Sequence, residues 1–317
     1  MIRSRFLSIF PCCCLLLLAG CSSKPASSPP EGSGHSDATP LTAMVSIAPQ
    51  RFFVERIAGE LVRAEIIAPP GYAPETYQVT PRQMDSFGQA SLFFLIGMPF
   101  EEELVRRLSV VFPDLLMVDT REGVSMLSSS HEHHEESEEG HDHGHAHEGD
   151  DPHIWLDPQR VKIQARTMAQ ALAGCLPSHR ETFMRNLAAF EAELNALHAH
   201  LAETLAPVRD SVLYVFHPSF GYFADAYGLE QRSVEFEGKS PGARRLYALM
   251  EELKQSGSRV LFEQPQFTTT ALSGIAQETG VEIVILDSLA EDYLENMKGM
   301  AARIVEHLQP AQATGRE

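Results

Sequence analysis

Cysteine is scarce where a fold could use it. Of five cysteines, Cys12, Cys13 and Cys14 lie in the first apolar run and Cys21 directly follows it, leaving Cys175 alone in the rest of the chain. A single thiol forms no intrachain disulfide and builds no Cys-based zinc site. Cys175 falls within a helical pattern and reads as a small packed hydrophobe. Basic residues are also few: 25 Lys and Arg stand against 43 Asp and Glu, a formal net charge of −18. That disfavours nucleic acid as a partner, because phosphate binding needs basic surface. Beyond the first apolar run, no stretch is long and apolar enough to span a bilayer. There is no HExxH pair, the helical signature of zinc peptidases.

What the chain does have begins at its N-terminus. Arg3 and Arg5 precede "FLSIFPCCCLLLLAGC". A basic start, a short apolar run and small residues at a cut site predict an export signal over residues 1–20. "LAGC", residues 18–21, resembles the lipobox of bacterial lipoproteins. That resemblance implies cleavage before Cys21 and lipidation of its thiol, hence an extracytoplasmic protein held at a membrane. Residues 21–40 are rich in Ser, Pro and Gly and nearly free of hydrophobes, as a disordered tether would be.

Much of the acidity is local. Between Glu132 and Asp151 lie nine carboxylates and no Lys or Arg, interleaved with His131, His133, His134, His141, His143, His145 and His147. The stretch has no hydrophobic periodicity, which predicts a surface loop over 128–151. Neutral imidazoles bind Zn²⁺, Cu²⁺ and Ni²⁺. Ordering a flexible segment around an ion costs conformational entropy, so these histidines are expected to form auxiliary, weaker sites. The plainer reading is a dispensable acidic spacer.

Elsewhere short apolar runs alternate with helical patterns. Strands are predicted at 43–48, 63–68, 91–97 and 115–119, then again at 211–216, 231–236, 259–264 and 281–287. Pro81 stands where a helix should begin, a position that tolerates proline. Short buried strands alternating with helices indicate βαβ units and parallel pairing. Between the two sets lies a run of about 28 residues with one helical period, long for a globular helix. The predicted class is therefore α/β: two lobes, each a mainly parallel sheet flanked by helices, joined by a long backbone helix. The boundaries are 41–176 for the first lobe with its His/acid loop, 177–206 for the linking helix and 207–317 for the second lobe.

In such sheets ligands bind outside the C-terminal ends of the strands. Four candidates fall there. Glu75 lies in "PPGYAPETYQVTP", His153 in "DPHIWLDP", His217 ends "LYVF", and Asp287 ends "VEIVIL". Two imidazoles and two carboxylates, two from each lobe, suit a divalent transition metal. Each alone has a bland reading: a hydrogen-bonded strand-end histidine, a turn aspartate, a solvated loop glutamate, or one more member of the His tract. Glu237 in "EGKSP" reads as a loop-positioning residue, and Trp155 as packing beneath the His153 loop. His198 and His200, two residues apart on a helix, point to different faces and make no joint site.

"GYAPETYQVTPRQM", "DPHIWLDP", "FHPSFGYFADAYGL", "VEFEGKSPGARRL" and "LFEQPQF…LDSL" occur in that order. Together they resemble the metal-specific solute-binding proteins of bacterial ABC importers, the zinc and manganese family, over roughly residues 41–308. The resemblance implies a metal held between two lobes by Glu75, His153, His217 and Asp287. It also implies delivery to a membrane permease driven by an ATPase, by a monomeric protein rather than an enzyme. One position departs from the pattern: zinc-type members resemble "PHTYEPTP", whereas this chain reads "PETYQVTP", so Glu75 stands where histidine is expected. An oxygen donor there makes a harder site, which moves the balance towards Mn²⁺ or Fe²⁺. His217 and the His tract resemble zinc-type members, and the general affinity order also favours Zn²⁺ over Mn²⁺. Zinc is the expected ion, with manganese or iron the alternative. A metal-dependent surface adhesin and an extracytoplasmic zinc hydrolase are the competing classes.

Overall fold

The computed structural model describes residues 40–128, 150–235, 242–267 and 270–308. The export signal, Cys21, the tether, the seven histidines of the tract and Glu237 lie outside these residues.

The first sheet contains β1 (Leu41–Val45), β2 (Val62–Ile66), β3 (Leu92–Leu95) and β4 (Leu116–Asp119), all parallel, in the order β2-β1-β3-β4. The helices α1 (Ala48–Ala58), α2 (Pro81–Phe87) and α3 (Pro99–Val111) connect them. Pro81 does open α2, preceded by a Thr80–Gln83 capping box that satisfies orphan backbone N–H groups. Two further helices follow, α4 (Pro158–Cys175) and the 26-residue α5 (Arg180–Leu205).

The second sheet repeats the plan. Strands β5 (Val212–Val215), β6 (Glu230–Ser233), β7 (Val260–Glu263) and β8 (Glu282–Ile285) are parallel, in the order β6-β5-β7-β8. Their helices are α6 (Gly221–Tyr227), α7 (Ala243–Ser256), α8 (Thr270–Thr279) and α9 (Tyr293–Leu308). In each sheet the chain moves from its first strand to one side, then returns to build on the other. The resulting switch points lie at β1 and β5, where a crevice opens outside the strand ends.

Side-chain parity decides which face of each sheet meets the other lobe. Ala43 and Val45 of β1, and Leu213 and Val215 of β5, enter one continuous core. Met44 packs outward in a separate cluster with Phe87, Phe93 and Leu104. Tyr214 and Phe216 pack outward with Leu253 and Leu261. The shared core runs through α5, whose buried Phe183, Phe190, Leu194, Leu197, Leu201 and Leu205 form one apolar stripe. The linking helix is thus packed into the body, between α4, α1 and α9.

The apolar runs in the sequence extend past the paired strands. The 281–287 run, for instance, is strand only over Glu282–Ile285. Leu286 lies past the strand's last residue, yet its N–H still donates to Glu263 O at 2.9 Å while its side chain enters the shared core.

Candidate metal centre

Each candidate donor is held by its own local device. Glu75 lies in a short 3-10 turn, Pro74–Thr76, that follows β2. Tyr77, two residues on, packs edge-on against Tyr72 and Phe100 and donates its hydroxyl to Gln83 at 3.0 Å. His153 precedes the 3-10 turn Ile154–Leu156. The indole of Trp155 lies 5.1 Å from the His153 ring, and its Nε1–H donates to Ser288 O at 2.7 Å. His217 follows β5, and Gln264 grips its backbone: Oε1 accepts from His217 N at 3.2 Å, while Nε2 donates to His217 O at 2.9 Å. The Phe267 ring stacks on the His217 ring at 4.3 Å.

Three of the four candidates converge. Glu75 Oε1 lies 3.2 Å from His153 Nε2 and 3.2 Å from His217 Nε2, and the two Nε2 atoms are 3.3 Å apart. His153 and His217 are 5% and 4% exposed. Glu75 Oε2 is buried with no hydrogen-bond partner. Zinc binds nitrogen and oxygen at about 2.0–2.1 Å, so adjacent donors around a tetrahedral ion stand about 3.3–3.4 Å apart. The observed triangle has the edges of one face of such a tetrahedron.

Asp287 does not join this triangle. Its Oδ1 accepts from Gln266 Nε2 and from Leu289 N, each at 3.0 Å, which ties that oxygen to the turn after β8. Among the described residues, the group of clustered donors within 4.8 Å of one another is Glu75, His153 and His217.

The electrostatics favour positive charge at the centre. Burial would push the Glu75 carboxyl up, but hydrogen bonds and charge from His153 and His217 hold it well below the usual carboxylate range. Burial would pull His153 down, yet Asp151 and Glu75 raise it to about 9. For His217 burial again pulls down, and Glu235 and Glu75 outweigh it. Below about pH 9 a proton on His153 supplies positive charge beside the carboxylates of Glu75 and Asp151.

Two of those carboxylates escaped the sequence reading. Asp151 Oδ1 lies 2.6 Å from His153 Nδ1, and Glu235 Oε2 lies 2.9 Å from His217 Nδ1. Asp151 was hidden as the last acid of the tract. Glu235 sits two residues before the Glu237 that drew attention, but at the end of β6, beside β5. Adjacent strand ends were the available signal. His198 lies outside this group of donors, and its Nδ1 meets Tyr227 OH at 3.2 Å.

Comparison with known proteins gives a consistent picture. The family model for the periplasmic zinc-uptake complex component A, ZnuA, matches residues 44–307. The high-affinity zinc uptake system protein ZnuA of Yersinia pestis is 29% identical over 262 residues, spanning 78% of this chain and 82% of its own. The Haemophilus influenzae protein of the same name is 27% identical over 286 residues, spanning 78% and 85%. A crystal structure of ZnuA superposes with a TM-score of 0.77 at 34% identity, covering 85% of this chain and all of the other. A ZnuA deletion mutant with zinc bound gives 0.76 at 35% identity, covering 86% of this chain and 100% of its own.

Proposed function

The chain belongs to the periplasmic zinc-uptake component A family, and from that premise we propose that it captures Zn²⁺ outside the cytoplasm and passes it to the permease of an ABC importer. Glu75, His153 and His217 hold the ion between the lobes. The sequence resemblance assigns a fourth position to Asp287, whose carboxylate is engaged by Gln266. The ATPase of the importer supplies the energy, and the binding protein does no covalent chemistry. Residues 18–21 support a lipid anchor at Cys21, which keeps a monomeric carrier near its permease. His131, His133, His134, His141, His143, His145 and His147 serve as weaker, auxiliary sites.

The observation that carries this reading is the donor triangle. Three Lewis-basic atoms from segments far apart in sequence, two on buried histidines and one on the half-buried Glu75, are turned towards one another at zinc-sized separations. Burying such groups is unfavourable unless a positive charge sits among them. Calorimetric titration with Zn²⁺ and Mn²⁺ in competition tests it. The expected result is one tight site that prefers Zn²⁺ and disappears in His153→Ala and His217→Ala. A site that survives both substitutions, or that prefers Mn²⁺, would overturn the assignment.

A further inference from the structure

We infer that Asp151 and Glu235 are positioning residues for metal capture, each gripping one imidazole at Nδ1 so that both Nε2 lone pairs face the ion. This rests on the ligand assignment proposed above. A neutral imidazole carries its single N–H on one nitrogen and a lone pair on the other. The carboxylate 2.6 Å from His153 Nδ1, and the one 2.9 Å from His217 Nδ1, each accept that N–H and leave Nε2 as the donor. Both carboxylates are buried. They fix ring orientation and make each Nε2 more basic towards a cation.

The two pairs are built by different means. Glu235 is set by the register of the second sheet: its N–H donates at 2.8 Å to the carbonyl of Phe216, the residue that precedes His217 in the chain. Asp151 is set by its own turn and by the other lobe. The same Oδ1 that meets the His153 ring also accepts His153 N–H at 2.9 Å. Tyr222 of α6 donates its hydroxyl to Asp151 O at 2.8 Å. The other carboxylate oxygen rests on Gly221, the first residue of α6, where an added Cβ would stand 2.6 Å from Asp151 Oδ2. Gly221 is not among the glycines with positive φ, so its backbone accepts alanine. What glycine supplies is room for the Asp151 carboxylate. That carboxylate cannot retreat without loosening its hold on His153.

The test measures Zn²⁺ affinity against a competing chelator, the visible spectrum of the Co²⁺-loaded protein, and the imidazole tautomers by long-range ¹H–¹⁵N correlation in the metal-free protein at alkaline pH. Asp151→Ala and Glu235→Ala are expected to weaken Zn²⁺ binding about 10–100-fold, the usual effect of removing a partner of a ligating histidine. They should also shift the Co²⁺ spectrum and give mixed tautomers at the affected ring. Asp151→Asn and Glu235→Gln keep an oxygen acceptor, so they should lose less affinity and retain the Nδ1–H tautomer. Gly221→Ala should weaken binding as Asp151→Ala does, and the double variant should bind no worse than Asp151→Ala alone, since both act through one group. Where Asp151→Ala or Glu235→Ala does not fold, Gly221→Ala carries the comparison. Affinity within about twofold of the parent in Asp151→Ala, Glu235→Ala and Gly221→Ala, while His153→Ala and His217→Ala lose the site, would overturn this inference and leave the ligand assignment standing; twofold lies well below the usual effect. Lost affinity with unchanged tautomers and Co²⁺ spectrum would also overturn it, showing a purely structural role. Tight binding retained in both histidine variants would instead remove the assignment on which it rests.

Discussion

The Nε2 atoms of His153 and His217 stand 3.3 Å apart, although 64 residues separate them in the chain. Two nitrogen lone pairs at that distance repel unless a proton or a metal ion lies between them. Glu75 Oε1, 3.2 Å from each, completes a triangle that either kind of cation can neutralise. Competition between protons and metal at this one place sets much of what can be measured on the protein.

The pH dependence follows from that competition. His153 is raised from 6.5 to about 9 in the folded, metal-free protein. A raised histidine contributes stability that is fully present below the unfolded value and is lost as pH climbs through the folded one. His217 moves in the same direction. The melting temperature of metal-free protein should therefore fall between pH 6.5 and about 9. Zinc replaces the protons, so the rise in melting temperature on adding Zn²⁺ should grow over the same interval. Thermal scans with and without Zn²⁺ check this. A zinc increment that stays flat across the window would place the metal elsewhere.

Asp287 separates a three-donor centre from a four-donor one. Its Oδ1 already accepts two hydrogen bonds at 3.0 Å. Asp287→Ala should leave one tight Zn²⁺ site and weaken it far less than His217→Ala does. It should also lower stability by about 1 kcal/mol, the ordinary net worth of lost hydrogen bonds. Calorimetry and denaturant titration measure the two effects. Loss of the tight site on the scale of His217→Ala would make Asp287 a ligand.

The His/acid tract can be removed without disturbing its roots. Ser128 pairs antiparallel with Asp150, and Asp151 N donates to Leu127 O at 2.9 Å. The two ends are thus already neighbours, and a short Gly/Ser link can close the gap. Deleting residues 129–149 should abolish additional weak zinc binding while the tight site persists with unchanged stoichiometry. Equilibrium dialysis across a range of Zn²⁺ concentrations checks both parts.

Trp155 is the single tryptophan of the chain and lies 5.1 Å from the His153 ring. Replacing the proton on His153 by zinc changes the charge next to the indole. Intrinsic fluorescence should therefore change in proportion to Zn²⁺ added, with a break at one equivalent, and the response should vanish in His153→Ala. Trp155→Phe leaves Ser288 O without its indole partner and should cost about 1–3 kcal/mol, the penalty for a buried unpaired group.

The sequence made the class of fold legible because strand and helix periods are local. The 91–97 and 115–119 runs correspond to β3 and β4. The long helical run of 177–206 corresponds to α5, Arg180–Leu205, flanked by short 3-10 turns. The predicted strands run past the paired residues because flanking residues such as Leu286 still enter the shared core and donate one further backbone hydrogen bond, here to Glu263 O. Of the four sequence candidates, Glu75, His153 and His217 lie together and Asp287 does not join them, while Asp151 and Glu235 were not among the candidates. Those two act on neighbouring rings, and a carboxylate that touches an imidazole has no sequence signature of its own.

Residue types and their order thus determined by themselves that this is a two-lobed α/β chain with an acidic, histidine-rich insertion and imidazoles at strand ends. Which groups meet was decided only by tertiary structure. The switch point at β5, the inward parity of Leu213 and Val215, and the seat of Asp151 on Gly221 bring Glu75, His153 and His217 together and turn Asp287 aside to Gln266. The physical reason is range. Periodicity acts over a few residues, whereas a metal centre depends on separations of 3.2–3.3 Å between distant segments, which only a completed core can fix.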